Sequence, residues 1–196
     1  MGFINKGSWI FLIVVIVVSI GIIGYVKEDS LFGLYSFDTN SFSFSPPPQD
    51  LDVFFCPEDN CASVLIQQID SAQDSIYIAV YSFTKEDIAD ALIRAKERGV
   101  EVRIVFDYFQ SESDYSVDER LIDNGLEIVR RKGGGSMHNK FCVIDEKKVL
   151  TGSFNYSKNA DEKNDENLIF IVSESLAQEY LNEFNEIWAQ AKSQEE

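Results

Sequence analysis

His138, Lys140 and Asp145 stand at H-x-K-x4-D spacing, and Gly152, Ser153 and Asn155 follow within ten residues. In an extended strand successive side chains alternate between faces, so His138 and Lys140, two apart, share one surface. That surface carries a nucleophile or proton shuttle beside a fixed positive charge, which suits a phosphate diester. The imidazole can attack phosphorus or protonate a leaving oxygen, and the Lys140 ammonium neutralises non-bridging oxygens. Ser153 and Asn155 supply hydrogen bonds as charge builds in the transition state. No step requires a metal or an organic cofactor. A solvated loop histidine beside an ordinary surface lysine is the bland alternative. A pattern of six matched positions at fixed spacing makes it much the weaker one.

The elements that must position these residues follow from the flanking pattern. Leu51 to Phe55 reads as a strand, followed by a helix opening at Asn60 or Ser63 and carrying Val64, Leu65, Ile66 and Ile69. Ser75 to Tyr81 is a nearly continuous apolar run, as expected of a strand covered on both faces. Thr84 with Asp87 forms a helix-capping arrangement for a helix that Gly99 ends. Val100 to Phe106 is the next strand, Val117 to Asn124 a helix closed by Gly125, and Leu126 to Val129 a short strand. Gly133 to Gly135 form a loop before the histidine strand, with room for close backbone approach to a phosphate. Phe141 to Ile144 and Lys148 to Leu150 read as a hairpin across Asp145 to Lys147, which brings His138 and the Gly152–Ser153 turn to one sheet end. Glu166 to Val172 is a further core strand. Leu176 to Ala191 is a closing helix with Leu181, Phe184, Ile187 and Trp188 inward. The alternation implies an α/β fold, a mixed sheet with helices on both faces.

Residues 9–26 are eighteen residues without a charge, which at 1.5 Å rise just span a hydrocarbon core. Trp9 and Tyr25 fall at the interface positions. An uncleaved transmembrane anchor is favoured over a signal peptide, whose apolar region is shorter and ends in a small-residue cleavage site. Residues 1–8 are then a short tail, 27–50 an aromatic and proline-rich linker, and 51–196 the catalytic domain. Lys6 before the span places the amino terminus in the cytoplasm and the domain outside, membrane-held and extracytoplasmic. The chain of 196 residues carries a net charge of −16, which argues against a general nucleic-acid coat protein. The balance reverses locally, because eight basic residues stand against four acidic ones between Arg120 and Lys158. Arg130, Arg131 and Lys132 are candidate contacts for neighbouring phosphates of a nucleic acid. Ordinary surface charge is the equal alternative.

The motif, with the FFCPEDN, AVYSFT and GSFNYS runs, resembles the phospholipase D superfamily from about Phe54 to Ala191. It looks like the small single-motif members, the compact bacterial endonucleases and the mitochondrial cardiolipin hydrolases of the Zucchini type. The resemblance implies a phosphohistidine mechanism in which one histidine attacks phosphorus and a second protonates the leaving group. It assigns phosphate binding to Lys140, Ser153 and Asn155, orientation of the histidine to Glu166, and a structural, hydrogen-bonding part within the catalytic set to Asp145. His138 is the only histidine of the chain. If two are needed, two chains must supply them, so a homodimer with one shared site follows. The substrate implied is DNA or RNA, with a phospholipid head group, of cardiolipin or a phosphatidylcholine-like lipid, as the alternative. The mitochondrial members are associated with a zinc element, but Cys56, Cys61 and Cys142 with a committed His138 do not make four ligands. Cys56 and Cys61 either form a disulfide, in keeping with an extracytoplasmic domain, or remain two thiols.

Overall fold

The computed structural model describes residues 50–195. The expected anchor at 9–26 and nearly all of the linker lie outside the described residues. Among those described, no helix is long and apolar enough to cross a membrane.

Seven strands form one sheet. In chain order the elements are β1 (Asp50–Cys56), α1 (Cys61–Ser71), β2 (Ser75–Val80), α2 (Glu86–Glu97), β3 (Glu101–Asp107), α3 (Tyr108–Ser111), α4 (Asp118–Asp123), β4 (Glu127–Arg131), β5 (Lys140–Ile144), β6 (Lys148–Gly152), α5 (Lys158–Glu162), β7 (Glu166–Val172) and α6 (Glu174–Glu195). Across the sheet they run β1-β7-β6-β5-β2-β3-β4. Strands β2, β3 and β4 are parallel; β5, β6, β7 and β1 join through antiparallel pairs. The expected mixed sheet with helices on both faces is what forms.

Every residue of β2 is buried, because alternate side chains feed two different cores. Ile76, Ile78 and Val80 pack with Leu65 and Ile69 of α1 and Ile88 and Leu92 of α2. Tyr77 and Ala79 face the other way, toward Phe184 and Ile187 of α6. In α6, Phe184 and Ile187 are buried, while Leu181 and Trp188 pack at the margin of the same core. Fully burying side chains of this size stabilises by about 1.5–3 kcal/mol each.

Some boundaries differ from those read off the sequence. Helix α2 has Lys85 at its N-cap and no side-chain cap bond, so Thr84 does not cap it. Asp87 instead accepts the Ile88 amide. Strand β4 runs past Val129 to Arg131 because its parallel register with β3 continues through Phe106–Arg130 and Asp107–Arg131. Two short helices were not anticipated. Each is set by a local cap, Asp107 accepting the Gln110 amide for α3 and Ser157 accepting the Ala160 amide for α5. Four or five residues are too few to show a helical hydrophobic period.

The β5–β6 hairpin turns through Asp145 to Lys147, with Asp145 at φ 52° and Glu146 at φ 55°, the positive pair of a type I′ turn, closed by the Lys147 amide donating to the Ile144 carbonyl at 3.1 Å. At the other end of these strands, Phe141 faces Thr151. His138 and the Gly152–Ser153 turn therefore meet. Cys56 and Cys61 are joined as a disulfide that ties β1 to α1, with Cα atoms 5.7 Å apart. The pairing removes two thiols from any zinc set. Cys142 is free and buried in β5, where burial pushes its thiol far up from the ordinary range.

Candidate active site

Lys140 opens β5 and His138 lies just before it, on extended chain that the Tyr81 amide holds through the Asn139 carbonyl at 2.9 Å. The imidazole is exposed, whereas Lys140 is only 8% exposed. The Lys140 ammonium donates to the His138 carbonyl at 2.8 Å and stands 3.1 Å from Nδ1 of the same residue. Burial lowers the Lys140 pKa, and the Glu166 carboxylate pushes it partly back up. A partly desolvated ammonium is a stronger electrostatic partner for a phosphate than a hydrated one.

Gly152 ends β6 at φ 151° with the Asn167 carbonyl against it, so a Cβ there would clash. This close approach lets the Ser153 and Phe154 amides both donate to that carbonyl. The Ser153 hydroxyl donates to Glu166 Oε2 at 2.5 Å and accepts from the Asn167 amide at 3.1 Å. Glu166 Oε1 accepts from the Asn164 side chain at 3.2 Å. Asn155 lines the same place, and its Oδ1 is buried without a hydrogen-bond partner. An unpaired buried polar atom costs about 1–3 kcal/mol, so part of this amide's bonding capacity is left unspent by the protein.

His138, Lys140, Gly152, Ser153, Asn155 and Glu166 thus line one cleft of about 370 Å³. Two expectations need correction. Glu166 accepts from Ser153 and Asn164, and among the described residues no hydrogen bond runs from it to the imidazole. Asp145 lies at the far end of β5, where its side chain accepts the Gln73, Asp74 and Ser75 amides. It anchors the α1–β2 loop, the structural, hydrogen-bonding part expected of it, but outside the cleft rather than within the catalytic set. A larger cleft of about 460 Å³ lies beside Asp145, lined also by Asp74, Glu146, Lys147 and Glu174. It contains no histidine to pair with a cation as His138 does with Lys140, and chemistry rather than volume locates the site.

The basic run divides. Arg130 is engaged by Asp118 and Glu119, both at 2.5 Å, and is neutralised there. Lys132 sits over the Tyr108 ring at 4.4 Å, and its amide donates to Gln194. Arg131 alone of the three reaches the histidine's surroundings. It shares a second cleft of about 360 Å³ with His138, Ser136 and Gln190, while its guanidinium donates to the Gly135 carbonyl at 3.1 Å. Sequence reasoning missed Asn164 and Asn167, which hold Glu166 and Ser153. Short polar residues beside a strand end carry no periodic signal. Tyr81, whose ring packs on His138 with centroids 4.4 Å apart, was visible only as the polar-tipped end of an apolar run.

Residues 65–188 match the family described as cardiolipin synthase, PLD-like domain. The chain belongs to this phospholipase D-like family, and it is a phosphodiesterase of that class. It is 34% identical to a phospholipase D of Rickettsia bellii over 189 residues, 90% of this chain and 92% of that protein. It is 32% identical to a mitochondrial cardiolipin hydrolase of Xenopus laevis, over 68% of this chain and 65% of that one. Among solved structures it is similar to Nuc of Salmonella typhimurium, a phospholipase D family member, with a TM-score of 0.69 and 34% identity, covering 72% of this chain and 95% of that one.

Proposed function

We propose that the chain is a metal-independent endonuclease of DNA or RNA that works through a phosphohistidine intermediate and is held at a membrane by residues 9–26. The observation that carries this reading is the composition of the His138 cleft. It is lined by His138, Lys140, Gly152, Ser153, Asn155 and Glu166, with no large aliphatic side chain among them to hold an acyl chain, and a buried cation lies beside the exposed imidazole. A bare phosphate in an extended polymer fits such a shallow site.

A His138 nitrogen attacks phosphorus as the bond to the leaving oxygen breaks, and that oxygen takes a proton from a second imidazole. Water then attacks the phosphorus while giving a proton to the second imidazole, the P–N bond breaks, and both histidines are restored. The chain has one histidine, so the second comes from another copy across a two-fold axis. Lys140, Ser153 and Asn155 hold the non-bridging oxygens. The Cys56–Cys61 disulfide supports an extracytoplasmic domain, since such bonds persist in oxidising compartments.

A second reading, hydrolysis of phospholipid head groups, is favoured by an apolar stripe. Leu51, Val53 and Phe55 of the edge strand β1 are 45–60% exposed, and they alternate onto one face as a surface for lipid. The R. bellii relative, matched over most of its length, is also named a phospholipase D.

The test is the full chain in detergent with EDTA, offered single-stranded DNA, duplex DNA, RNA, and cardiolipin or phosphatidylcholine vesicles, with His138→Ala as control. Nucleic-acid cleavage alone supports the first reading, and release from lipid alone replaces it with the second. Activity that needs added metal removes the mechanism. A fully active monomer in sedimentation analysis removes the shared site.

A further inference from the structure

The hydrogen bonds of Glu166 run to Ser153 and Asn164, while the exposed His138 ring packs on the Tyr81 ring. A packed ring can fix the direction of an imidazole that is to attack in line. We propose that Tyr81 is a positioning residue for His138, packing on the imidazole while a Gln110–Asp107 tether holds Tyr81 itself in place.

The contacts form a closed circuit. The Tyr81 and His138 rings are 4.4 Å apart at an angle of 50°. The Tyr81 hydroxyl accepts from the Gln110 side chain at 3.2 Å. The Gln110 amide donates to one oxygen of Asp107 at 3.1 Å, and the other oxygen accepts the Met137 amide at 2.9 Å. Met137 immediately precedes His138, so one carboxylate holds both the chain that carries the imidazole and the helix that braces its wall. Asp107 is 1% exposed and Met137 5%, and a buried carboxylate bonded to two amides is costly to disturb. The Lys140 ammonium lies 5.0 Å from the centre of the same Tyr81 ring, within cation–π range. The ring therefore sets the gap between nucleophile and phosphate-binding charge. Such precision matters because reacting atoms must meet at about 3–3.5 Å, and a misplacement of about 1 Å can cost roughly a hundredfold in rate.

The activity arm of the test rests on the phosphodiesterase reading above, and the spectroscopic arm does not. Since His138 is the only histidine, its ring signals in a tag-free full chain are identified in carbon–proton NMR without further assignment. In the wild type they carry a ring-current displacement from Tyr81. Tyr81→Leu is expected to return them toward the position of a solvated histidine and to lower kcat about tenfold with KM within about twofold. Tyr81→Phe keeps the ring and is expected to preserve the displacement and most of kcat. Gln110→Ala removes only the tether and is expected to reduce the displacement partly and kcat about threefold. Unchanged ring signals in Tyr81→Leu overturn the proposal, as does a loss falling on KM alone. If Tyr81→Leu does not fold, unchanged ring signals and kcat in Gln110→Ala overturn it instead. A wild-type chain that cleaves no diester refutes the phosphodiesterase reading, and the ring signals then decide the Tyr81 packing by themselves.

Discussion

The two ends of β5 carry the two halves of one sequence motif and are built on opposite principles. At the Asp145 end the carboxylate is engaged by the backbone. The carboxylate takes three backbone amides, and the hairpin turn has the positive backbone angles its geometry requires. At the His138 end the imidazole is exposed, a lysine is buried, and an asparagine oxygen is left unpaired. A phosphate diester would satisfy the second end and has no counterpart at the first. The same strand therefore spends stability where it binds substrate and recovers it where it turns.

If that contrast holds, substitutions at the two ends should separate activity from stability. His138→Ala should give the largest effect, loss of cleavage by at least about a thousandfold, with the thermal midpoint within a few degrees of wild type. Measuring both on one preparation is decisive, and residual activity within tenfold would remove the nucleophile from His138. Lys140→Met should lower kcat/KM by about a hundredfold. It should leave the thermal midpoint equal to or above that of wild type, since it exchanges a desolvated ammonium for an apolar group of similar length.

Asp145→Ala should do the reverse. Three amides lose their acceptor, so denaturant unfolding should register a loss of about 2–4 kcal/mol. The folded fraction should still cleave at nearly the wild-type kcat. A kcat loss comparable to that of Lys140→Met would erase the distinction between the ends. Cys61→Ser should cost less, about 2 kcal/mol, because the disulfide closes a loop with a separation of only five residues. Urea titration of the variant against the oxidised wild type would measure it.

How far the site could be read from the sequence follows the same division. His138, Lys140, Ser153 and Asn155 were legible because a strand's period of two and a hairpin's short span fix where they go. The β2 run was legible because a strand covered on both faces must be apolar throughout. Glu166 was placed in the cleft, but its actual partner, Ser153, depends on the close approach of Gly152 to Asn167, which no spacing encodes. Arg130 reads as a phosphate contact in sequence and is an ion-pair partner in space, since Asp118 and Glu119 come from a helix eleven or twelve residues earlier. Tyr81, Gln110 and Asp107 escaped because their circuit joins three separate elements through single bonds.

The smallest predicted effect is in pH dependence, and it sharpens the contrast most. Burial holds the Lys140 pKa below its ordinary 10.5. Phosphate binding that needs the ammonium is intact below the folded-state pKa and is lost as pH rises through it, so the alkaline fall of kcat/KM should begin earlier than for an exposed lysine. Stability runs the other way. Between the folded and unfolded pKa values the unfolded chain binds the extra proton, so this residue's penalty on folding shrinks as pH rises. Over that window wild-type activity should fall while the stability difference from Lys140→Met narrows. Glu166→Gln removes the neighbouring charge that raises the Lys140 pKa, and it should move the alkaline limb to still lower pH. A limb that stays in place in Glu166→Gln would mean that another group limits the rate at high pH, and Lys140 would then serve the cleft through its bond to the His138 carbonyl alone.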